Sequence, residues 1–231
     1  MSAFVSAIIV AAGGSTRMGI SDSKQFIPLL GKPAISYTLS AFQNCALISE
    51  IVVVSRAQDI DRIFALSQEC GFDKVIAVVE GGACRAESVK NGILAADAQA
   101  QYFAIHDGAR PLITTEEITA VVEAAFETGA ATVGTSVTDT IKVADENNVI
   151  VNTPERSTLR AVQTPQVFEK ELYSFAISDA DDLESVTDDC SLIEKMGGEV
   201  LIVEGSRENI KLTTPIDVLI AESILSKRNQ P

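Results

Sequence analysis

Short apolar runs, separated by longer stretches of mixed polarity, set the rhythm of this chain. Val5–Val10, Glu50–Ser55, Lys74–Val79, Tyr102–His106, Thr132–Val137 and Glu199–Glu204 are brief and rich in Ile and Val, and they read as strands. Between them apolar residues recur with helical spacing. Ile118, Val121, Val122, Ala125 and Phe126 mark one face of a helix packed on a core. Its limits are also written in the chain. Thr114 and Thr115 precede it, Glu116 and Glu117 fall in its first turn, and Gly129 follows it. Pro33 suits the first turn of an early helix, Gly71 follows a second, and Thr214-Pro215 opens the last.

This alternation predicts an α/β fold: a mostly parallel, twisted sheet with helices on both faces. In such sheets ligands bind beyond the carboxyl ends of the strands. The loops of interest are therefore 11–24, 80–88 and 106–111. One stretch breaks the rhythm. TIKVADENNVIVN, residues 140–152, places two β-rich arms around Asp145-Glu146-Asn147-Asn148, the pattern of a hairpin. A hairpin inserted in an α/β chain projects, either as a lid or as a dimerisation arm. No internal repeat, low-complexity tract or linker interrupts the chain. The expectation is one domain over residues 1–231 with an inserted arm at about 138–154.

Composition narrows the function. With 18 basic and 32 acidic residues the net charge is −14, which argues against nucleic acid or a membrane surface as partner. An anionic ligand would need the few cations gathered where it binds. The chain has 46% hydrophobic residues and no Trp, so Ile, Val, Leu and Ala build the core, as in sheets buried on both faces. Four scattered cysteines and a single histidine make a zinc site of the usual ligands improbable and read as free thiols in a reducing cytosol. The N-terminus carries neither a basic start nor a long apolar stretch, so no signal peptide or membrane span is expected.

Five segments could carry chemistry. AAGGSTRMG, residues 11–19, is a glycine-rich turn after the first strand, where backbone N–H groups can approach an anion. It matches neither the P-loop nor the dinucleotide fingerprint. Arg17 and Lys24 beside it suggest a polyphosphate, against the plainer reading of an ordinary strand-to-helix turn. In GGACRAESVKNG, residues 81–92, Arg85 and Ser88 share a helix face, and backbone groups at Gly81-Gly82 can read a base edge. Taken alone, the Ser reads more simply as a helix cap. HDGARP, residues 106–111, puts Asp107, Gly108 and Arg110 at a strand's end, suited to Mg²⁺ or ribose with an arginine for phosphate. His106 would have to serve any serine-hydrolase triad, but no nucleophile elbow exists, and a structural role fits it better. In PERSTLRAVQTPQVF, residues 154–168, Arg156, Arg160 and Thr164 are polar anchors in an otherwise unremarkable segment. Lys211 in ENIKLTTP, residues 208–215, reads alone as a surface charge. The acidic run Asp179–Glu184 reads as a solvated loop.

Together AAGGSTRMG, SKQF (residues 23–26), EGGACRAESV, HDGARP, TDTIK, QTPQ and ENIKLTTP resemble, in order and spacing, the 2-C-methyl-D-erythritol 4-phosphate cytidylyltransferases. The resemblance spans essentially the whole chain. HDGARP with QTPQ and NIK is more specific than the first block, which the wider nucleotidyltransferases share. It implies a Rossmann-like nucleotidyltransferase that dimerises through its β-arm. The implied reaction joins CTP and methylerythritol phosphate, with Mg²⁺, to a CDP-alcohol and pyrophosphate. Arg17 and Lys24 match the pair that stabilises the transition state. Ala11, Ala12, Gly13 and Gly14 match the loop that wraps the triphosphate. Gly82 and Ser88 match the cytosine site, with Arg85 nearby on the nucleotide side. Asp107 and Gly108 match the ribose and metal side, Asp107 also bordering the substrate, and Arg110 the substrate side. Thr140, Arg156, Thr164, Thr187 and Lys211 match positions that hold the alcohol phosphate, some of them supplied by the partner subunit. Two departures stand out. Ser15 replaces a glycine frequent in the family's first loop, and Ala83 stands where many members are acidic.

Three other readings compete. A cytidylyltransferase for another polyol phosphate, such as ribitol 5-phosphate, shares the first loop and HDxxRP but matches Thr153–Gln166 less well. A silent nucleotide-binding regulator would have less use for both Arg17 and Lys24. An NAD-dependent oxidoreductase would need the missing fingerprint.

Overall fold

The computed structural model describes residues 3–14, 23–180 and 182–229. Arg17 and Ser15 lie outside them. Seven strands form the main sheet, in the order β11-β7-β10-β6-β1-β4-β5. Their ranges are β1 Val5–Val10, β4 Glu50–Ser55, β5 Val75–Glu80, β6 Tyr102–Asp107, β7 Ala130–Ser136, β10 Arg160–Glu169 and β11 Leu201–Glu204. β1 pairs in parallel with β4 and β6, β4 with β5, and β7 with β11. β10 is antiparallel to both neighbours. All six expected strands are present, β1 and β4 with the expected ends and the other four with ends shifted by one or two residues.

Period-two alternation sorts the strand residues between two cores. Val5, Ala7 and Ile9 of β1 and Ile51 and Val53 of β4 face helices α1 (Ala34–Asn44), α2 (Ile60–Glu69) and α4 (Thr115–Thr128). Ile8, Val52 and Val54 face α3 (Arg85–Leu94), α5 (Lys170–Ser178) and α6 (Cys190–Lys195). The helix signals work as read. Thr114 and Glu117 form a reciprocal capping box on α4, and Gly129 ends that helix in the left-handed region at φ 79°. The last helix, α7 (Pro215–Arg228), opens on a second box formed by Thr214 and Asp217. Leu212, Ala221 and Leu225 seat it over the small hairpin of β2 (Pro28–Leu29) and β3 (Lys32–Pro33).

The correction concerns β10. Its segment looks unremarkable in sequence because it has no alternating apolar run. Pro165 has no N–H to give a ladder, and the pairing with β7 slips between Val162 and Gln166 to accommodate it. The second half of β10 is buried, while the first, residues 160–162, runs out exposed alongside the end of β7. The arm grows from that extension. β8 (Val143–Ala144) and β9 (Ile150–Asn152) pair antiparallel, as expected for a hairpin. Asp145 organises the turn by accepting the N–H groups of Asn147 and Val149, each at 2.9 Å. Val149, Ile150 and Val151 are each about 60% exposed, an apolar surface that its own chain leaves uncovered. No helix among the described residues is long and apolar enough to cross a membrane.

Candidate active site

Three loops meet at the carboxyl end of the sheet because the central strands end together. Ala11 N–H donates to Val54 O, Gly108 N–H to Val10 O and Gly81 N–H to Ser55 O, so each loop starts from a continued ladder. Gly81 lets two of these loops approach closely: a Cβ there would lie 2.5 Å from Ala12 Cβ and 2.8 Å from Ser88 Oγ.

The space they enclose is a cavity of about 260 Å³. Ala12, Gly13 and Gly14 line one side, Lys24 and Gln25 another, and Gly82 to Arg85 with Ser88 a third. Asp107, Ala109 and Lys211 form the floor. A second cavity of about 270 Å³ adjoins it, lined by Arg110, Val162 to Thr164, Gln166, Thr187 and Asp188. Arg85, Asp107 and Lys211 belong to both linings and so form the shared wall.

That wall is an ion cluster. Asp107 meets Lys211 Nζ at 2.7 Å, Arg85 Nε at 3.4 Å and Arg110 Nε at 3.7 Å. Burial alone would raise the Asp107 pKa, but Arg85 and Lys211 together hold it well below the usual carboxylate range. Arg85 is gripped from both ends, its other nitrogen lying 2.7 Å from the fully buried Asp189. Burial opposes its charge, yet the two carboxylates push its pKa up. Tyr173 donates to the far oxygen of Asp189 at 2.6 Å, and Gln166 Oε1 accepts the Asp189 N–H at 2.9 Å. The Asp107–Arg110 turn is strapped down from outside. Arg110 donates to Asn209 O at 2.8 Å, and Leu212 N–H donates to Ala109 O at 2.8 Å.

In the loop 81–84 the N–H groups of Gly81, Gly82 and Ala83 are already taken, the first by Ser55 O. Gly82 N–H reaches Ser88 Oγ at 3.1 Å and Ala83 N–H reaches Glu87 Oε2 at 2.7 Å, while Ser88 Oγ donates to Cys84 O at 2.9 Å. What this rim can offer a base is its carbonyl oxygens, which match a base bearing an exocyclic amino group.

Most sequence-singled residues therefore meet at the two cavities. Lys24 reaches the first from a short turn, with Nζ 3.5 Å from Leu212 O. Ala11 and Gly108 are buried and line neither cavity. Thr140 and Arg156 border neither cavity of their own chain. They sit exposed at the base of the arm, where Arg156 donates to Thr138 O at 2.9 Å. Sequence reasoning missed Gln25, Cys84, Gln166, Asp188 and Asp189. The signal available was position: each stands within two residues of one already singled out.

Comparison with known proteins agrees with this geometry. The family model for 2-C-methyl-D-erythritol 4-phosphate cytidylyltransferase matches residues 5–227. Curated relatives of that description include one from Caldanaerobacter subterraneus, 47% identical over 96% of this chain and 99% of the relative. Another, from Alkaliphilus metalliredigens, is 44% identical over 97% and 94%. Among solved structures, the 4-diphosphocytidyl-2C-methyl-D-erythritol synthase of Anaerococcus prevotii aligns with a TM-score of 0.85 and 30% identity, covering 98% of this chain and all of that one. The Thermus thermophilus cytidylyltransferase aligns at 0.78 and 30%, covering 96% and 99%. With two adjoining cavities around a partly buried cation cluster at the end of a nucleotidyltransferase sheet, and with relatives matched end to end, this chain belongs to the 2-C-methyl-D-erythritol 4-phosphate cytidylyltransferase family.

Proposed function

We propose that the chain transfers the cytidylyl group of CTP to 2-C-methyl-D-erythritol 4-phosphate, releasing pyrophosphate, as a step of non-mevalonate isoprenoid biosynthesis. One observation carries this reading: two cavities share a wall made of Arg85, Asp107 and Lys211. The first, with its glycine-rich rim and Lys24, suits a nucleoside triphosphate. The second, with Arg110, Thr164 and Thr187, suits a phosphorylated alcohol.

The chemistry needs no general base. A phosphate monoester has a second pKa of about 6, so it is already a dianion for the most part at neutral pH. Its oxygen attacks the α-phosphorus of CTP, a new P–O bond forms, and the bond to the β-phosphate breaks as pyrophosphate leaves. The obstacle is that two anions must meet while charge builds on the leaving group. Positioned cations answer it: Lys24 on the triphosphate side, Arg110 and Lys211 on the alcohol side, with Arg17 assigned to the triphosphate by the family resemblance alone. His106 borders neither cavity, in keeping with a reaction that requires no base.

Mg²⁺ would arrive with the triphosphate. Asp107 is the one acidic side chain lining the first cavity among the described residues, which fits an ion held mainly by substrate phosphates and by a single carboxylate. Such an ion supplies charge neutralisation of the phosphates.

Thr140 and Arg156 gain a purpose if the exposed arm crosses to a second copy and completes the partner's alcohol site. The apolar residues of the arm support that homodimer. The net charge of −14 speaks against nucleic acid, and four unpaired cysteines suit the cytosol.

The test is pyrophosphate release from CTP and Mg²⁺ with methylerythritol 4-phosphate, ribitol 5-phosphate and glucose 1-phosphate in parallel. Release is expected with the first. Release with ribitol 5-phosphate alone would replace the substrate, and release with none would favour a silent nucleotide binder.

A further inference from the structure

His106 is the chain's single histidine and is fully buried, with its ring 5.0 Å from that of Phe42. Its two ring nitrogens face different kinds of atom. Nε2 lies 3.3 Å from the Arg110 carbonyl oxygen, and Nδ1 lies 3.0 Å from Thr164 Oγ1. A carbonyl oxygen can only accept, so a hydrogen bond there requires the proton on Nε2. A neutral ring then leaves Nδ1 bare, and the Thr164 hydroxyl donates to it. Thr164 Oγ1 accepts in turn from the Asp107 N–H at 3.1 Å. The sequence of donors closes from Asp107 to Thr164 to His106 to Arg110. The opposite tautomer would aim two donors at Thr164 Oγ1 and leave the Nε2 lone pair against a carbonyl, one hydrogen bond fewer in a buried site.

We infer that His106 is a positioning residue locked as the Nε2–H tautomer, tying Thr164 to both ends of the Asp107–Arg110 turn and turning the Thr164 hydroxyl hydrogen inward. Thr164 borders the second cavity. With its hydrogen committed and one lone pair taken by Asp107, its hydroxyl can accept from a ligand and cannot donate to one. The free oxygens of a fully ionised phosphate ester offer only lone pairs, so they find no partner there, whereas a substrate hydroxyl does. Thr164 thus reads the polyol part of the alcohol phosphate, and Arg110 and Lys211 take the phosphate. This second step rests on the reading of that cavity given above; the tautomer does not.

Two measurements test it. In the full chain with histidine labelled by nitrogen-15 and any affinity tag removed, long-range proton–nitrogen correlation reports the tautomer of the one ring. A neutral Nε2–H ring is expected, both free and with methylerythritol 4-phosphate. An Nδ1–H ring or a doubly protonated one would overturn the inference. Separately, Thr164→Val should raise the KM for the polyol phosphate roughly five- to tenfold, the worth of one hydrogen bond. Inhibition by methyl phosphate at about pH 8, where its free oxygens carry no hydrogen, should stay within about twofold. Equal weakening of both would show that Thr164 serves the phosphate after all. If that variant does not fold, the tautomer measurement on the unsubstituted chain decides by itself. Absence of pyrophosphate release by the unsubstituted chain would sink the functional reading and leave the tautomer standing.

Discussion

Replacing Asp107 by Asn keeps the side chain's shape and removes its charge. The residue is 7% exposed and faces three cations, with Lys211 at 2.7 Å, Arg85 at 3.4 Å and Arg110 at 3.7 Å. Removing one partner of a buried ion pair typically costs about 3–5 kcal/mol. Two features reduce that figure here. Arg85 keeps Asp189 at 2.7 Å, and the Lys211 side chain is 36% exposed, so water restores part of its solvation. Arg110 retains no other carboxylate among the described ion pairs. The remaining cost is about 2–3 kcal/mol. At roughly 2–4 °C per kcal/mol for a chain of this length, the melting temperature should fall by about 5–10 °C. Differential scanning calorimetry at neutral pH measures it. The pH dependence has a definite sign. The native pKa of Asp107 lies below its unfolded value, so its stabilisation is complete above about pH 4 and is lost only as the pH falls through the depressed native value. The gap between the two proteins should hold steady from about pH 5 to 8 and close in stronger acid. Added pyrophosphate should raise the variant's melting temperature more than the parent's, because the cations have lost their shared counter-ion. An unchanged or higher melting temperature would refute the idea that this carboxylate holds the cluster together.

Other consequences can be checked alongside. Lys24→Ala and Arg17→Ala should lower kcat on the order of 10²–10³ with a smaller change in the KM for CTP, and near-normal turnover would remove their assigned role. Mixing inactive Lys24→Ala and Arg156→Ala chains, with time for subunits to exchange, should restore about a quarter of normal activity. One hybrid site in two then carries both native residues, and half the dimers are hybrids. No recovery would mean that Arg156 acts within its own chain. Deleting Ile141–Val151 should give monomers in sedimentation, and an unchanged dimer would refute the arm's role. Burial pushes the His106 pKa down to about 3, whereas the unfolded chain takes up that proton near pH 6.5. Stability from this group is therefore complete above about pH 6.5 and is lost as the pH falls towards 3, with a slope approaching 1.4 kcal/mol per pH unit. Urea unfolding of His106→Asn should show that much less slope in this window, and identical slopes would contradict the buried neutral ring.

The fold was legible where local signals and tertiary demands coincide. The Val and Ile runs of β1 and β4, the stripe of α4 and the caps at Thr114, Gly129 and Thr214 each report their own neighbourhood. β10 was not, because its place between β6 and β7 is fixed by partners distant in sequence and its register absorbs a proline. The site divides in the same way. Glycines and cations on the loops after strands drew attention because their residue types are unusual there. Asp189 did not, since a carboxylate next to an acidic run looks solvated until Tyr173 and Arg85 are seen to enclose it. Nor could sequence reveal that Ser88 and Glu87 consume the N–H groups of Gly82 and Ala83.

The central claim is that the two cavities bring a triphosphate and an alcohol phosphate together for transfer at the α-phosphorus. Phosphorus NMR of the chain with CTP, Mg²⁺ and methylerythritol 4-phosphate follows every phosphate at once. The monoester signal should be lost while a CDP-alcohol diphosphate pair and pyrophosphate appear in equal amounts. Release of inorganic phosphate with the monoester signal intact, or no change at all, would contradict it.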